Sequence, residues 1–300
     1  MNVHADDLPA PELGARPIVV GVDGSPPSDA ALRWAVAEAE LRNLPLSVVH
    51  TVAMAAVATS ALIWPAGPVP EQVLESRESD GRRCIGDALA TIGDRRKVDS
   101  ALLFGNPVAT ISEYSSDAEM LVVGSRGQTG IRSLLGSVSA GLIRHAHCPV
   151  AVVHDGGVAS ADAAARPVLV GIDGSVASER ATAIAFDEAS RRHTTLLALH
   201  VCSDAETAPG VGSNWTTMQS AAERTLAQRL ARWRERYPDV IVQSAIEFEH
   251  PIRHLLERSE RSQLVVVGSH GRGGFTAMVI GSVGAAVAAA ARVPVIVARH

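Results

Sequence analysis

Residues 264–283 read LVVVGSHGRGGFTAMVIGSV, and this stretch predicts a strand, a binding loop and a helix in succession. The apolar, mostly β-branched residues 264–267 end at a glycine, which is typical of a buried strand in a parallel sheet. Further glycines follow, and then Gly281 and Ser282 begin an alanine-rich helical segment. Glycines after a buried strand let the backbone lie close to a ligand, and a helix N-terminus offers free N–H groups to an anion. The stretch therefore predicts a phosphate cradle.

The same pattern occurs earlier in the chain, where residues 121–138 read LVVGSRGQTGIRSLLGSV. The similarity extends beyond this loop, because residues 16–50 align without a gap with residues 166–200, so that RPIVVGVDGS matches RPVLVGIDGS. The chain is therefore a two-copy duplication. We predict an N-terminal tail, a first domain, a small and polar linker and a second domain, at residues 1–15, 16–154, 155–165 and 166–300.

Each half alternates predicted strands with predicted helices. In the first half the strands are expected at residues 17–23, 46–52, 97–103, 120–124 and 149–154, and the helical segments at 27–42, 71–96 and 138–146. Another helix is expected to start at Asn106 and Pro107, with the asparagine as its cap and the proline in its first turn. This alternation predicts an α/β fold with a parallel sheet and helices on both faces. Ligands of such sheets bind at the carboxyl ends of the strands, near the switch in strand order.

The composition is that of a globular protein without a basic face. The 300 residues are 47% hydrophobic and 20% charged, and the formal net charge is −5. This charge balance argues against a protein that binds nucleic acid. The cysteines, Cys84, Cys148 and Cys202, are far apart and form no CxxC motif, which favours free thiols in a reducing cytosol over a redox or metal site.

The sequence does not predict secretion or a membrane span. The N-terminus has no basic region followed by an apolar region, so we do not expect a signal peptide. Residues 276–298 are almost wholly apolar, but Gly281, Arg292 and Pro294 divide them into a helix and a strand. We therefore expect a cytoplasmic protein that does not cross a membrane.

The aspartates Asp23 and Asp173 end the first strand of each half, within VDGS and IDGS. A carboxylate there could accept hydrogen bonds from a ribose or a base, or reach Mg²⁺. The alternative is a turn aspartate that binds its own backbone. In the loop after the fourth strand, Arg126 could pair with a phosphate, whereas its counterpart His270 is expected to be a solvated loop residue. His50, at the end of the second strand, is expected to have a structural role.

The apolar segment VAMAAVATSALIW, residues 52–64, follows the second strand of the first half, where a surface connection is expected. It is interpreted as a loop or short helix packed on its own domain, with a partner surface or a lid as the alternative. The equivalent residues 203–215 of the second half are polar, so the two halves differ here.

Three motifs carry a resemblance to a known family. They are the D-G-S after the first strand, the G-x-x-G-(nine residues)-G-S run of the second half, and the PVAVV strand at residues 149–153. Together they resemble the universal stress proteins of the ATP-binding subgroup, in the tandem-domain form known from actinobacteria and mycobacteria. The likeness covers residues 16–154 and 166–299.

The resemblance implies two tandem Rossmann-like domains, each with a five-stranded parallel sheet, that bind ATP together with Mg²⁺. It places the two aspartates near the adenosine or the metal, and residues 51 and 201 against the adenine through their backbone. The remaining residues would hold ribose and phosphates. The full expected set is Asp23, Thr51, Gly124, Ser125, Arg126, Gly127, Gly136, Ser137 and Val138 in the first half, and Asp173, Val201, Gly268, Ser269, Gly271, Gly281, Ser282 and Val283 in the second.

Other nucleotide-binding classes fit less well. A dinucleotide oxidoreductase would have GxGxxG directly after the first strand, and a P-loop protein would have GxxxxGK[ST]; neither is present. No nucleophile and base converge in the pattern, so we expect a stress-response regulator and not a metabolic enzyme. The alternatives are a weak ATPase, or an interaction protein of the same fold that no longer uses nucleotide.

The two halves are expected to pack as a pseudo-dimer within one chain, and the chain is expected to form a homo-oligomer, a dimer. Valine-rich edge strands tend to be paired or covered, and the last strands, residues 149–154 and 294–299, are expected at sheet edges. The two sites are expected to be unequal, because eight residues separate Gly127 from Gly136 and nine separate Gly271 from Gly281. On this spacing, the second half should bind ATP more tightly.

Overall fold

The computed structural model describes residues 15–53, 71–93, 98–127, 135–155, 165–202, 215–271 and 281–299. The strands are β1 Ile18–Gly21, β2 Leu46–Ala53, β3 Val98–Gly105, β4 Met120–Gly124, β5 Val150–Val153, β6 Val168–Gly171, β7 Leu196–Cys202, β8 Val242–Phe248, β9 Leu264–Gly268 and β10 Val295–Ala298. The helices are α1 Pro26–Arg42, α2 Glu71–Ile92, α3 Pro107–Tyr114, α4 Ser137–His145, α5 Val176–Arg191, α6 Trp215–Arg236, α7 Pro251–Ser259 and α8 Ser282–Ala290. Apart from Val52 and Ala53, the apolar segment 52–64 lies outside the described residues.

The strands of each half form a parallel sheet with the order expected of a doubly wound fold. In the first half the order is β3-β2-β1-β4-β5, and the second half repeats it as β8-β7-β6-β9-β10. All pairings within a half are parallel. The predicted α/β class with five parallel strands per half is therefore confirmed. The strand order switches between β1 and β4, and between β6 and β9, so a ligand site is expected at these two points.

The two half-sheets join into one ten-stranded sheet. Strand β5 pairs with β10 in antiparallel orientation, with Ala151 opposite Ile296. The prediction that the last strands lie at the edges of their own sheets and pair within one chain is therefore confirmed. Each half was expected to form a five-stranded sheet, and the paired valine-rich edges satisfy each other's backbone groups and join the two sheets into one.

Helices cover both faces of the sheet, as predicted. One apolar core lies under α1, α2, α5 and α6, and the other under α3, α4, α7 and α8. The central strands are buried on both sides, which explains why their sequences are continuous apolar runs and do not alternate. Among the described residues, no helix combines the length and the apolar character that crossing a membrane requires.

Local signals set most helix boundaries. The Oδ1 of Asn106 accepts hydrogen bonds from the N–H groups of Val108 and Ala109, which confirms the predicted cap of α3. Helix α2 was predicted to continue to residue 96 but ends at Ile92. The reason is Gly93, whose φ of 67° is the left-handed conformation in which glycine ends helices.

A cluster of four buried charges links the halves on one face of the sheet. Arg42 binds Glu38 on its own helix and reaches Glu188 of α5, while Arg192 binds Glu188 and reaches back to Glu38. Each arginine therefore bridges both carboxylates, one from each half. The carboxylates are almost wholly inaccessible, with exposures of 1% for Glu38 and 0% for Glu188. Arg42 gains a further partner in Asp187 at 3.0 Å.

Burial and charge act differently on the two carboxyls of this cluster. Burial raises the pKa of Glu38 to about 7, and the nearby Glu188 carboxylate adds to the rise. Burial also opposes ionisation of Glu188, but the attraction of Arg192 and Arg42 outweighs it and lowers the pKa of that carboxyl. One member of the pair therefore takes up a proton near neutral pH, while the other stays ionised between the arginines.

A second contact between the halves lies at the end of the last strand. Arg299, which follows β10, donates from Nε to the carbonyl of Ala146 at 2.9 Å and from Nη1 to the carbonyl of Ile143 at 3.2 Å. It thereby caps the C-terminus of α4 in the other half. A cation is favourable at this end of a helix because the last carbonyls are unpaired.

The buried cluster predicts a large effect of removing one arginine. Arg42→Met should lower the free energy of unfolding by about 3–5 kcal/mol, because two buried carboxylates then share a single arginine. Urea denaturation followed by circular dichroism measures the loss. The control is Arg82→Met, which breaks a pair with Glu78 on a side chain that is 69% exposed. Such surface pairs contribute about 0–1 kcal/mol. Equal losses in the two variants would contradict a stabilising role for the cluster.

Candidate functional site

A cleft opens at the first switch point of the sheet, at the carboxyl ends of β1, β2 and β4. Its volume is about 910 Å³. Every site residue that the sequence predicted in the first half lines this cleft, with the exception of Ser125: Asp23, Thr51, Gly124, Arg126, Gly127, Gly136, Ser137 and Val138. Because β5 and β10 are antiparallel, the equivalent end of the second half faces the opposite edge of the sheet.

The aspartate after the first strand connects two parts of the site in each half. Oδ1 of Asp23 accepts the N–H of Ser25 at 3.0 Å, which is the turn contact considered as an alternative to ligand binding. Its Oδ2 lies against Gly127, where an added Cβ would be only 2.7 Å away. In the second half, Oδ2 of Asp173 would lie 2.8 Å from a Cβ on Gly271. The carboxylate therefore stabilises the turn and also packs on the glycine loop, which requires glycine there.

Serines next to these aspartates join the turn to the loop. The hydroxyl of Ser175 donates to the carbonyl of His270 at 3.1 Å, and Ser25 makes the equivalent contact with Arg126 at 3.5 Å. The same hydroxyls cap α5 and α1. The sequence motif D-G-S contained these serines, but their role in holding the loop depends on a contact between distant parts of the chain.

The serines inside the glycine loops are buried, and Ser125 does not line the first cleft. Ser125 and Ser269 are 2% and 1% exposed. Their carbonyls accept the N–H groups of Gly136 at 2.8 Å and of Gly281 at 2.7 Å, so each closes its loop at the base. The two loops, which differ by one residue in length, are thus closed by the same hydrogen bond. The residues between, 128–134 and 272–280, lie outside the described residues.

The helices that follow the two loops begin without a side-chain cap. Helix α4 starts after Gly136 and α8 after Gly281. These N-cap residues are glycines, which have no side chain to cap the helix. By contrast, α1 and α5 are capped by serine hydroxyls. The first N–H groups of a helix have no partner within the helix, and together with the helix dipole they attract an anion. The geometry at both helix starts is therefore suited to a phosphate.

Helix α2 forms a wall of the first cleft that the sequence did not predict. It contributes Arg77, Asp80, Arg83, Cys84 and Asp87 to the lining. Burial raises the pKa of the Cys84 thiol to about 11, and nearby carboxylates add to the rise, Asp23 most of all. This thiol therefore keeps its proton at neutral pH. The duplication gave no signal for this wall, because α2 and α6 share little sequence.

The histidines within β2 and β7, His50 and His200, have matching backbone contacts. Nδ1 of His50 lies 2.7 Å from the carbonyl of Val22, and Nδ1 of His200 lies 2.6 Å from the carbonyl of Ile172. Both rings therefore hold the strand that leads into the aspartate turn. His50 also lines the first cleft.

Arg126 lies at the mouth of the first cleft and forms a salt bridge with Asp155. The neighbouring His154 is partly buried. Burial lowers the pKa of His154, and the positive charge of Arg126 lowers it further. The imidazole is therefore neutral at physiological pH, which leaves the arginine as the cation at this side of the site.

Comparison with known proteins identifies the family. The family model described as "Universal stress protein family" matches twice, at residues 14–154 and 164–299. Universal stress protein Rv2005c of Mycobacterium tuberculosis is 51% identical over 290 residues, covering 94% of this chain and 97% of the relative. Universal stress protein Rv2623 of the same species is 47% identical, covering 94% and 96%. The crystal structure of a universal stress protein from Archaeoglobus fulgidus has the same fold, with a TM-score of 0.70, 21% identity and coverage of 94% and 98%.

The glycines that end β4 and β9 predict a packing defect when they are replaced. In Gly124→Ala the new Cβ would lie 2.7 Å from the backbone carbon of Pro27, and in Gly268→Ala it would lie 2.9 Å from that of Ala177. Backbone cannot give way as a side chain can, so each variant should lose about 1–3 kcal/mol of unfolding free energy.

The matched control is Gly86→Ala on the exposed side of α2, where nothing lies within 4 Å of the new Cβ. This change should stabilise the protein by about 0.5–1 kcal/mol through helix propensity. Thermal and urea unfolding of the three variants measure the differences. A loss in Gly86→Ala as large as in Gly124→Ala would show that close packing at β4 is not the cause.

Proposed function

Because the chain belongs to the universal stress protein family, we propose that it binds ATP with Mg²⁺ in both halves and acts as a nucleotide-dependent stress-response regulator. The observation that carries the proposal is the same arrangement in each half. A helix without a side-chain cap begins where a glycine loop is held by an aspartate turn. This arrangement leaves room and N–H donors for phosphates, since a Cβ at the loop glycines would meet the aspartate.

The residues of the first cleft fit the separate parts of ATP. The N–H groups at the start of α4, together with Gly127 and Arg126, would hold the phosphates. The backbone at Thr51, near the end of β2, would meet the adenine, and Asp23 lines the same cleft. A cleft of about 910 Å³ lies within the usual range for a small-molecule site. The second half offers the same elements at Asp173, Val201, Gly271, Gly281 and Ser282.

Magnesium would enter with the triphosphate. Within the described parts of the chain, no three His, Cys, Asp or Glu side chains converge on a point that could hold a metal ion. A cation that keeps several waters and is bound by phosphate oxygens needs only one or two carboxylates from the protein. Asp23 and Asp173 are the residues that we propose for this contact.

We propose binding without a metabolic reaction. Cys84, a potential nucleophile at the first cleft, holds its proton because its pKa is about 11. The hydroxyl of Ser139 is engaged with the carbonyl of Gly124 at 2.6 Å. These contacts support a site that holds its ligand, with slow hydrolysis as the most that we expect. The homodimer and the cytoplasmic location stay predictions.

The direct test is to look for the nucleotide in the purified protein. Protein prepared without added nucleotide is denatured, and the supernatant is analysed by ion-exchange chromatography. Calorimetric titration of the stripped protein with MgATP then gives the stoichiometry, for which we expect two ATP molecules per chain. Absence of released nucleotide together with no heat at millimolar MgATP would refute the proposal and favour an interaction protein that does not use nucleotide.

A single substitution should remove the second site alone. Gly281→Val places a branched side chain at the start of α8, in space that the phosphates need, so the number of ATP molecules bound per chain should fall from two to one. The protein should stay folded, because the nearest atom to the new Cβ is 3.4 Å away. The weaker helix cap costs about 1 kcal/mol, well below the stability of a typical domain.

The control for this variant is Gly86→Val, the same exchange at an open position of α2. It should keep both ATP molecules. Two molecules bound to folded Gly281→Val would show that this loop does not form the phosphate cradle.

A further inference from the structure

The two halves differ in the charge of their glycine loops. Arg126 follows Ser125 in the first half, whereas the equivalent position after Ser269 is His270. A guanidinium carries a permanent charge and can bind a phosphate with two hydrogen bonds, which an imidazole cannot do. On the loops alone, the second half would have no permanent cation for the phosphates.

Another arginine lies at the site of the second half. The guanidinium of Arg229, on α6, lies flat against Gly174, in the turn between Asp173 and Ser175. A Cβ on Gly174 would be 2.2 Å from its Cζ, 2.3 Å from Nη2 and 2.5 Å from Nη1. Gly174 has a φ of 80° and no side chain, and both features are needed for this contact.

The duplication shows where this guanidinium lies relative to the ligand cleft. Gly24, the first-half counterpart of Gly174, lines the cleft of that half. By this correspondence, Arg229 lies where the second half would have the equivalent cleft wall. When α2 and α6 are aligned on their buried positions, with Ile85 matching Leu226, the counterpart of Arg229 is Ala88. A methyl group cannot reach the turn, so this arginine belongs to the second half alone.

Arg229 also has an unused donor. Its Nη1 is buried and makes no hydrogen bond with any described residue. A buried N–H group of a charged side chain without an acceptor is costly, and an anionic oxygen brought by a ligand would remove that cost. Both the position of Arg229 and its unpaired Nη1 donor therefore favour contact with an anionic ligand.

We propose that Arg229 is a cation of the second site, and that it donates to the phosphate groups of the nucleotide, as proposed for Arg126 in the first site. This inference rests on the proposed function, since it assigns a residue to the same ATP-binding site. In the first half the cations at the cleft come from the glycine loop, as Arg126, and from α2, as Arg77 and Arg83. In the second half α6 would supply Arg229. The exchange of Arg126 for His270 therefore does not by itself favour the first site.

The test separates the effect of the charge of Arg229 from the effect of its packing. Arg229→Met keeps the apolar stem and removes the charge, whereas Arg229→Lys keeps the charge. Arg234→Met, at an exposed position on the same helix, is the control. Each variant is titrated with MgATP and with adenosine, which shares the base and the ribose but carries no phosphate. The second site is recognised as the binding step that Gly281→Val removes.

We expect Arg229→Met to weaken ATP binding at the second site roughly ten- to hundredfold, the loss of one charge-assisted hydrogen bond. Adenosine binding should change less than about threefold, Arg229→Lys should recover most of the ATP affinity, and the control should match the wild type. The salt dependence of ATP binding at this site should also decrease in Arg229→Met.

Three outcomes would overturn the inference, and they are distinguishable. If the wild type binds two ATP molecules and Arg229→Met binds both equally well, only the role of Arg229 fails. If ATP and adenosine weaken equally, Arg229 acts through packing and the contact with phosphate is wrong. If the wild type binds no ATP, the proposed function fails and this inference fails with it.

Discussion

The antiparallel pairing of β5 with β10 is the contact on which the arrangement of the whole chain depends. It uses the two strand edges that each half would otherwise expose, and it converts two small sheets into one. Exposed valine-rich edges favour pairing with other chains, so the junction removes a source of aggregation as well as joining the halves. Because the strands meet antiparallel, the helices on each face of the two halves also become neighbours.

The four buried charges on that face give the junction its specificity. Apolar residues of similar volume would often stabilise a protein as much as a buried ion pair does. Here each carboxylate has one arginine from its own half and one from the other. A shifted register of β5 against β10 would leave charges buried without partners, at a cost of several kcal/mol. The buried charges therefore favour one alignment of the two halves, and the pairing of β5 with β10 supplies the contact area.

Much of the fold follows from the sequence, because its signals are local or repeated. The duplication, the buried strands, the Asn106 cap and the glycine loops are all visible as residue types at fixed spacing. The end of α2 was predicted too late, since Gly93 inside a polar run is a weak signal. The burial of Ser125 below the cleft could not be predicted, because spacing along the chain does not show how deeply a side chain lies.

The α2 wall and Arg229 were not predictable for a different reason. Both depend on how far a long side chain reaches from a helix that has diverged between the two halves. No repeated motif marks such a residue, and the charge of an arginine on a helix is ordinarily read as solvent-facing. Only the three-dimensional contact of Arg229 with Gly174 separates it from the other arginines of α6.

The covalent link between the halves has an evolutionary consequence. In a dimer of identical chains, each substitution alters both binding sites at once, so neither can change without the other. The tandem chain keeps the two-fold architecture but lets each copy mutate alone, as Arg126 against His270 and Ala88 against Arg229 illustrate. Two sites of different affinity, at opposite ends of the strands of one sheet, would fill at different ligand concentrations. A tandem chain that binds ATP as proposed would then respond to both a low and a high level of this nucleotide.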